Sequence, residues 1–375
     1  MASSVKVKKI LRASFVILTV VGFVAYLFLV EGRGSIRRVF SNLKWEWLAI
    51  ATGAWCLSAL AFDSSLSLIR RHYQRRFPFW YVLLNTRKAS FYEMLTPGTF
   101  AFGPIIQVNS MSKQGVPISK GASIILLQQT CTVMSYIVCS LIFVFADFGF
   151  FAAKMSVGMW LVYALALMTS VLIMAVYMLV PRKDNWIIAV AGFLIGLLFK
   201  MHIIGRERKE RMMAKTSDQV TKLKNNMKSL DFTLFEWVRS VAILVLDKAI
   251  LYSVHYFIAL SLGVDVRGAL VHIIAANSIA LIISNQIAIP GGFGIFEVSY
   301  YAFMLPIIGS ESAMNFMMLL NRIVTYYFPL LIGGLAHVIR NPGITDKVDV
   351  VVDSGIENDS ADSNRIDNMP SEVER

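Results

Sequence analysis

Charged residues are scarce in this chain: Lys, Arg, Asp and Glu make up 16% of its 375 residues. A soluble domain of average composition has about 25%. Several apolar runs carry almost no charge and exceed the length of ~18 residues that marks a candidate transmembrane helix. Short segments of alternating polarity, which are typical of membrane β-barrels, are absent from the sequence. The composition therefore predicts an all-α polytopic membrane protein.

Cysteine and histidine are also few, which bears on metal and redox chemistry. The three cysteines, Cys56, Cys131 and Cys139, lie inside apolar runs without a Cys-x-x-Cys motif, and the five histidines are scattered. These patterns indicate neither a metal site nor another cofactor. The sequence shows no Ser/His/Asp pattern and no Asp-rich phosphate motif. We therefore expect no enzymatic activity.

Positive charge is the one electrostatic excess, with a formal net charge of +12. The dense Lys and Arg clusters, in 1–12, 70–76 and 182–228, flank apolar runs, so they indicate topology rather than nucleic-acid binding. All three clusters are internal if the N-terminus is cytoplasmic and 186–204 does not cross the membrane. We thus predict a multi-pass protein of the cell membrane with both termini cytoplasmic. The external loop cations are then Arg33, Arg37, Arg38, Lys44, Lys154 and Arg267.

The apolar runs predict about six full spans within a membrane domain of residues 1–340. These spans are 13–30, 45–69, 119–146, 157–180, 235–262 and 315–339. Residues 186–204 are interpreted as interfacial or partly inserted, and 206–230 as a basic amphipathic helix on the cytoplasmic leaflet. From Thr345 onward, nine acidic residues face three basic ones, so 341–375 is expected to be a disordered cytoplasmic tail.

Two Pro/Gly-rich stretches interrupt the apolar pattern. They read Thr96-Pro-Gly-Thr-Phe-Ala-Phe-Gly-Pro104 and Ile289-Pro-Gly-Gly-Phe-Gly294. Proline lacks an N–H and glycine weakens a helix, so both stretches predict broken, re-entrant hairpins. Each break leads to a glycine, with 18 residues from Pro97 to Gly115 and 19 from Pro290 to Gly309, and then to a helix with a polar pair. The predicted topology gives the two units opposite directions, which is the inverted repeat of many transporters.

The two breaks and the following polar pairs form the predicted substrate site. Glycine N–H groups and helix N-termini are expected to bind an anion, and Arg322 to hold a phosphate. The predicted set is Pro97, Gly98, Gly103, Gln107, Gln128, Gln129, Asn285, Pro290, Gly291, Gly292, Gly294, Glu297, Asn321 and Arg322. Alternatively, Glu297 and Arg322 form only a structural ion pair, Glu297 only complements a helix dipole, and the glutamines only bond neighbouring helices.

Two further charged positions lie within predicted spans. Asp63 is expected to pair with Arg70 or Arg71, which follow it at the basic end of its span. Asp247 and Lys248 are adjacent and are not expected to face each other on a helix.

The second break carries a specific resemblance. Pro290-Gly-Gly-Phe-Gly-Ile-Phe-Glu297 resembles the Pro-Gly-Gly-x-Gly-x-x-Glu signature of the lysylphosphatidylglycerol synthase transmembrane region, or flippase-like, family. Asn321-Arg322, with Tyr326, Tyr327 and Gly333, is similar to the family's next helix. Leu95-Thr-Pro97, Gln107, Gly115 and Ser119 resemble its earlier motif, so the resemblance covers roughly residues 10–340.

The chain departs from that family at two places. Gly103-Pro104-Ile105 stands where relatives usually have a Glu, and Gln128 or Gln129 stands where they often have an Arg. Full-length relatives append an aminoacyl-transferase or glycosyltransferase domain, so the resemblance implies the lipid-translocating part alone.

Two functional hypotheses follow. The first is a flippase or transporter that moves a lipid or lipid-linked anionic substrate, such as a lipid-linked sugar, across the bilayer. The alternative is a non-transporting membrane partner of a separate glycosyl- or aminoacyl-transferase. The expected partners are membrane lipids and, under the alternative, a separate transferase. No nucleic-acid partner is expected.

Overall fold

The computed structural model describes residues 41–71, 78–95, 102–179, 232–287 and 294–339, with the single residues 210, 218, 221, 289 and 292. The predictions for 1–40, most of 186–230 and 341–375 lie outside the described residues. Within the described ranges all regular secondary structure is helical.

The described ranges contain eleven α-helices and one π-helical turn. They are α1 (Trp45–Arg71), α2 (Phe79–Leu95), α3 (Phe102–Ser112), α4 (Ile118–Ala146), α5 (Phe148–Lys154), α6 (Val157–Leu179), α7 (Leu234–Ser261), α8 (Leu270–Ser284), α9 (Ile295–Ile308), α10 (Glu311–Arg322), the π turn Ile323–Tyr327 and α11 (Phe328–Ala336). Five helices are long and apolar enough to cross a membrane: α1, α4, α6, α7 and the continuous rod from α10 to α11. They confirm five of the predicted spans and the polytopic all-α class.

The helix order repeats. α1 to α4 form one unit, a long helix, two short helices around a break, and a second long helix. α7 to α11 repeat this order, with α8 and α9 as the short pair. Packing is reciprocal: α2 of the first unit packs on α11, α8 of the second unit packs on α4, and α1 packs along α7.

Contacts at the helix ends fix the direction of each unit. The Lys44 N–H donates to the Ser261 carbonyl at 2.9 Å, and Asp147 lies 2.6 Å from His272 Nε2. The start of α1, the end of α4, the end of α7 and the start of α8 therefore share one end of the bundle. The α8–α9 pair leaves and returns to this end, and the α2–α3 pair to the opposite end. The two pairs thus point toward each other, as an inverted repeat requires.

Local chemistry explains where the second pair is broken. α8 ends at Ser284, and α9 begins after Gly294, whose φ of 85° is a left-handed value that favours glycine. The Glu297 side chain accepts from the Gly294 N–H at 2.8 Å and so satisfies one N–H at the start of α9.

The first break is shorter than predicted. α2 ends at Leu95 and α3 begins at Phe102, so Gly103 and Pro104 belong to the first turn of α3 rather than to the break. Proline is tolerated there because the first-turn N–H groups have no partner within the helix.

The outer face of α6 is apolar. Val157, Leu161, Leu165, Met168 and Leu172 are exposed and recur at three- and four-residue spacing along one side of the helix. Such a face fits contact with hydrocarbon, and it leaves the polar side chains to the interior of the bundle.

Candidate functional site

A cavity of about 340 Å³ lies where the two short-helix pairs meet. Both units contribute to its wall, and α1 and α7 line it as well as the short helices. Seven of the predicted residues line it: Gln107, Gln128, Gln129, Asn285, Gly292, Asn321 and Arg322. Residues more than 200 positions apart in the chain are thus brought to one site, which the repeat in the sequence predicted.

Arg322 and Glu297 form an ion pair, which was one of the alternatives that the sequence left open for them. The Arg322 Nε donates to Glu297 Oε1 at 2.6 Å, and Nη2 contacts the same oxygen. The Arg322 guanidinium also lies over the rings of Phe296 and Tyr326, at 5.1 and 5.7 Å from their centroids. The arginine is 6% exposed, so its charge is held in a fixed position at the cavity wall.

The predicted role of the glycine N–H groups needs correction at Gly292 and Gly294. The Gly294 N–H is taken by Glu297, and the Gly292 N–H donates to the Ile289 carbonyl at 3.0 Å. Neither group is an open donor for an anion. Gly294 and Glu297 are also absent from the cavity wall, and Pro97, Gly98, Pro290 and Gly291 lie outside the described residues.

A second ion pair contradicts the sequence expectation. Lys248 Nζ lies 2.7 Å from Asp247 Oδ2, although adjacent helical side chains were expected to diverge. The Ser58 hydroxyl donates to the other Asp247 oxygen at 2.5 Å. The long lysine stem folds back over the rings of Phe62 and Tyr136, which lie 5.1 and 4.8 Å from its ammonium. Both charged residues line the cavity.

The third ion pair corrects the predicted partner of Asp63. Arg87 Nη2 donates to both Asp63 oxygens at 3.1 and 3.0 Å. Arg70 instead donates from Nη2 to Gln107 Oε1 at 2.6 Å, and Gln128 approaches the same oxygen at 3.5 Å. The partners of Asp63 and Arg70 come from the next two helices, α2 and α3, rather than from α1 itself, so proximity within one helix gave the wrong pairing.

Two of the three pairs, Arg87–Asp63 and Arg322–Glu297, share an arrangement that affects the electrostatics of the site, whereas Lys248 and its carboxylate partner both line the cavity. Arg87, Lys248 and Arg322 all line the cavity, whereas Asp63 and Glu297 do not. Two of the cations therefore face the space with their counter-ions outside its wall. Paired charges tolerate burial, and cations placed this way can bind an incoming anion without leaving a buried charge unpaired.

Asn277 and His255 are two further polar residues at the cavity that were not among the predicted site residues. Asn277 is fully buried on α8, and neither of its amide atoms has a hydrogen-bond partner among the described residues. His255 is also buried, and the Asn321 side chain is close enough to interact with its ring. Both residues line the cavity, where a bound polar group can satisfy the Asn277 amide. An asparagine within an otherwise apolar helix was the available signal for Asn277.

Gly103 acts by its small size. A Cβ at this position would lie 2.8 Å from Glu93 Oε2, so only glycine admits this close approach without a shift. Glu93, from the end of α2, lines the cavity. A carboxylate is thus present beside the first break although the motif position after the break holds no Glu.

Long apolar helices around a buried, charged cavity define a multi-pass membrane protein with a polar site inside its helix bundle. Over residues 13–333 the chain matches the lysylphosphatidylglycerol synthase TM region, and it belongs to that family. No curated protein matches the chain.

Proposed function

We propose that this protein is a flippase that moves a lipid or lipid-linked anionic substrate across the cell membrane, with both of its termini in the cytoplasm. The observation that carries the proposal is the cavity between the two opposed units, with Arg87, Lys248 and Arg322 in its wall. Intramembrane charges are costly and usually serve a function. A polar path inside the bundle lets a headgroup cross while its acyl chains stay in hydrocarbon.

Arg322 is the proposed headgroup ligand. Its planar guanidinium suits the oxygens of a phosphate, which compete with Glu297 for its donors. When the anion binds, Glu297 keeps the Gly294 N–H as a partner, so the displaced carboxylate is still hydrogen-bonded. The pair therefore holds Arg322 in place in the empty site and releases it to the substrate.

The opposed hairpins supply the proposed path across the bilayer. We take both short-helix pairs as re-entrant, entering from opposite faces and meeting at the cavity. Inverted units of this kind support alternating access by rocking around a fixed site. Such a mechanism needs no bond to be made or broken, and the proposed activity is transport rather than catalysis.

Transport in proteoliposomes tests the proposal. The purified chain is reconstituted with fluorescent phosphatidylglycerol, phosphatidic acid or phosphatidylcholine, and transfer between leaflets is followed by quenching from outside. We expect faster transfer of the two anionic lipids than in protein-free vesicles, and less acceleration of the zwitterionic lipid. Equal rates with and without protein for every lipid would contradict transport and favour the role of transferase partner, which co-purification with a transferase then tests.

A further inference from the structure

A second cavity of about 550 Å³ adjoins the polar one. It lies between α3, α4 and α6, and its wall is mainly apolar, with Ile105, Val108, Ile125 and Leu126 among its residues. Gln129 lines both cavities, so the two spaces meet at this side chain.

One face of α4 runs through both cavities. Ile118, Ala122, Ile125 and Gln129 line the apolar cavity, and Gln129, Thr132 and Tyr136 line the polar one. The steps between these residues are four, three, four, three and four positions, which is the spacing of one helix face. The face is apolar up to Gln129 and polar beyond it.

The dimensions of this face suit a membrane lipid. A helix rises 1.5 Å per residue, so the apolar part from Ile118 to Gln129 is about 16 Å long and the polar part to Tyr136 about 10 Å. The apolar part is close to half of the ~30 Å hydrocarbon core, the depth of one leaflet. Ile105 and Ile118 are each 60% exposed, so the apolar cavity is open at the outer surface of the bundle.

We infer that the apolar cavity binds one hydrocarbon chain of the lipid whose charged headgroup occupies the polar cavity. This inference rests on the proposed function and adds a chain subsite to it. The position of the two cavities on either side of Gln129 favours the chain of the same molecule over an unrelated lipid. The substrate is then an amphiphile bound along α4, and a water-soluble anion of the same headgroup fills only the polar cavity.

A matched pair of probes tests the subsite. Phosphatidic acid with a photoreactive diazirine at its chain end carries both parts, and glycerol 3-phosphate carries the headgroup alone. When the protein is irradiated with this probe in phosphatidylcholine nanodiscs, the label should attach to residues 118–126. Excess glycerol 3-phosphate should reduce this labelling because it competes for the headgroup site.

Ala122→Phe fills the apolar cavity without touching the polar one. We expect it to weaken phosphatidic acid binding by about tenfold while glycerol 3-phosphate binding stays unchanged. Ala164→Phe is the control, since Ala164 is exposed on α6 and lines neither cavity. It should bind both probes like the wild type.

The outcomes separate the subsite from the headgroup site. If glycerol 3-phosphate does not reduce the labelling of 118–126, the label reports an annular lipid only and the subsite is wrong. The subsite is also wrong if Ala122→Phe binds phosphatidic acid as tightly as the wild type does. Lipid transport by the wild type would then still support the proposed function. If the wild type binds neither probe, the proposal of a headgroup site is wrong, and so is the proposal of a chain subsite beside it. The wild-type labelling decides the case even if Ala122→Phe does not fold.

Discussion

At the scale of single residues, Glu297 has two roles that the sequence presented as alternatives. One carboxylate oxygen accepts from the Gly294 N–H at the start of α9, and the other pairs with Arg322. The pair with Arg322 was one alternative that the sequence left open. The sequence did not offer the pair of Asp63 with Arg87, whose contact depends on how α1 and α2 pack.

A double-substitution cycle at Arg322 and Glu297 separates ion pairing from substrate binding. Arg322→Ala should abolish lipid transport, and Arg322→Lys should restore little of it, because an ammonium lacks the planar fork. Removing either partner leaves a buried charge uncompensated and should lower the free energy of unfolding by about 3–5 kcal/mol. Thermal unfolding and anionic-lipid transport are measured on both single variants, Arg322→Ala and Glu297→Gln, and on the double variant.

The double variant distinguishes ion pairing from substrate binding at Arg322. We expect it to regain much of the lost stability, since no isolated charge remains, yet to stay inactive because the headgroup has lost its ligand. Transport by a stable double variant would show that Arg322 serves only to pair with Glu297.

At the scale of helices, the contact between α2 and α11 holds the first unit against the second. Gly333 makes the closest approach: a Cβ there would lie 2.9 Å from both the Arg87 carbonyl oxygen and Phe91 Cβ. Arg87 is the residue of α2 that places a cation in the cavity wall. The fit at Gly333 therefore bears on the site as well as on packing.

Gly333→Ala should push α2 away from α11. Overpacking of this kind costs about 1–3 kcal/mol, which exceeds the gain of roughly 0.5–1 kcal/mol from replacing a helical glycine. Gly334→Ala is the control, because its Cβ would make only ordinary contacts with the Phe91 ring, at 3.5 Å from Cε2 and 3.9 Å from Cδ2. We expect a lower unfolding temperature for Gly333→Ala and an equal or higher one for Gly334→Ala. Equal unfolding temperatures of the two variants would show that α2 can move away from α11 without loss of stability.

Helix positions were predictable where the pattern was long. The five described spans begin and end within a few residues of their predicted bounds, because uninterrupted apolar runs of this length leave few alternatives. The position of the first break was predictable from Pro97 and Gly98, but its end was not. Pro104 fits either a break or the first turn of a helix, and packing decided for the turn.

At the scale of the whole molecule, the repeat in the sequence predicted that the two polar pairs would meet. Gln128, Gln129, Asn321 and Arg322 do line one cavity. The sequence could not predict that Asp247, Lys248 and Asn277 join them. Those residues lie outside the repeated motifs, and their place follows from the packing of α7 on α1 and α4 and of α8 on α4.

The orientation of the bundle in the membrane is the remaining prediction at this scale. Lys44 lies beside Ser261, and the loop with Arg267 follows Ser261 at the same end of the bundle. The loop with Ser156 connects α5 to α6 just beyond the end of α4, which is also at this end. Of the loop cations predicted to be external, the three in the described residues, Lys44, Lys154 and Arg267, therefore share one end, as the positive-inside rule requires for a single orientation.

Single introduced cysteines test that orientation in intact cells. An impermeant thiol reagent should label Ser156→Cys, which is exposed, and should reach Met212→Cys and Ser360→Cys only after the membrane is permeabilised. The unmodified chain is the control, because Cys131 and Cys139 are buried and Cys56 is partly buried. Labelling of Met212→Cys from outside would place the basic segment 206–230 outside the cell. It would also mean that 186–204 crosses the membrane. The opposite directions of the two units would then rest on the helix packing alone.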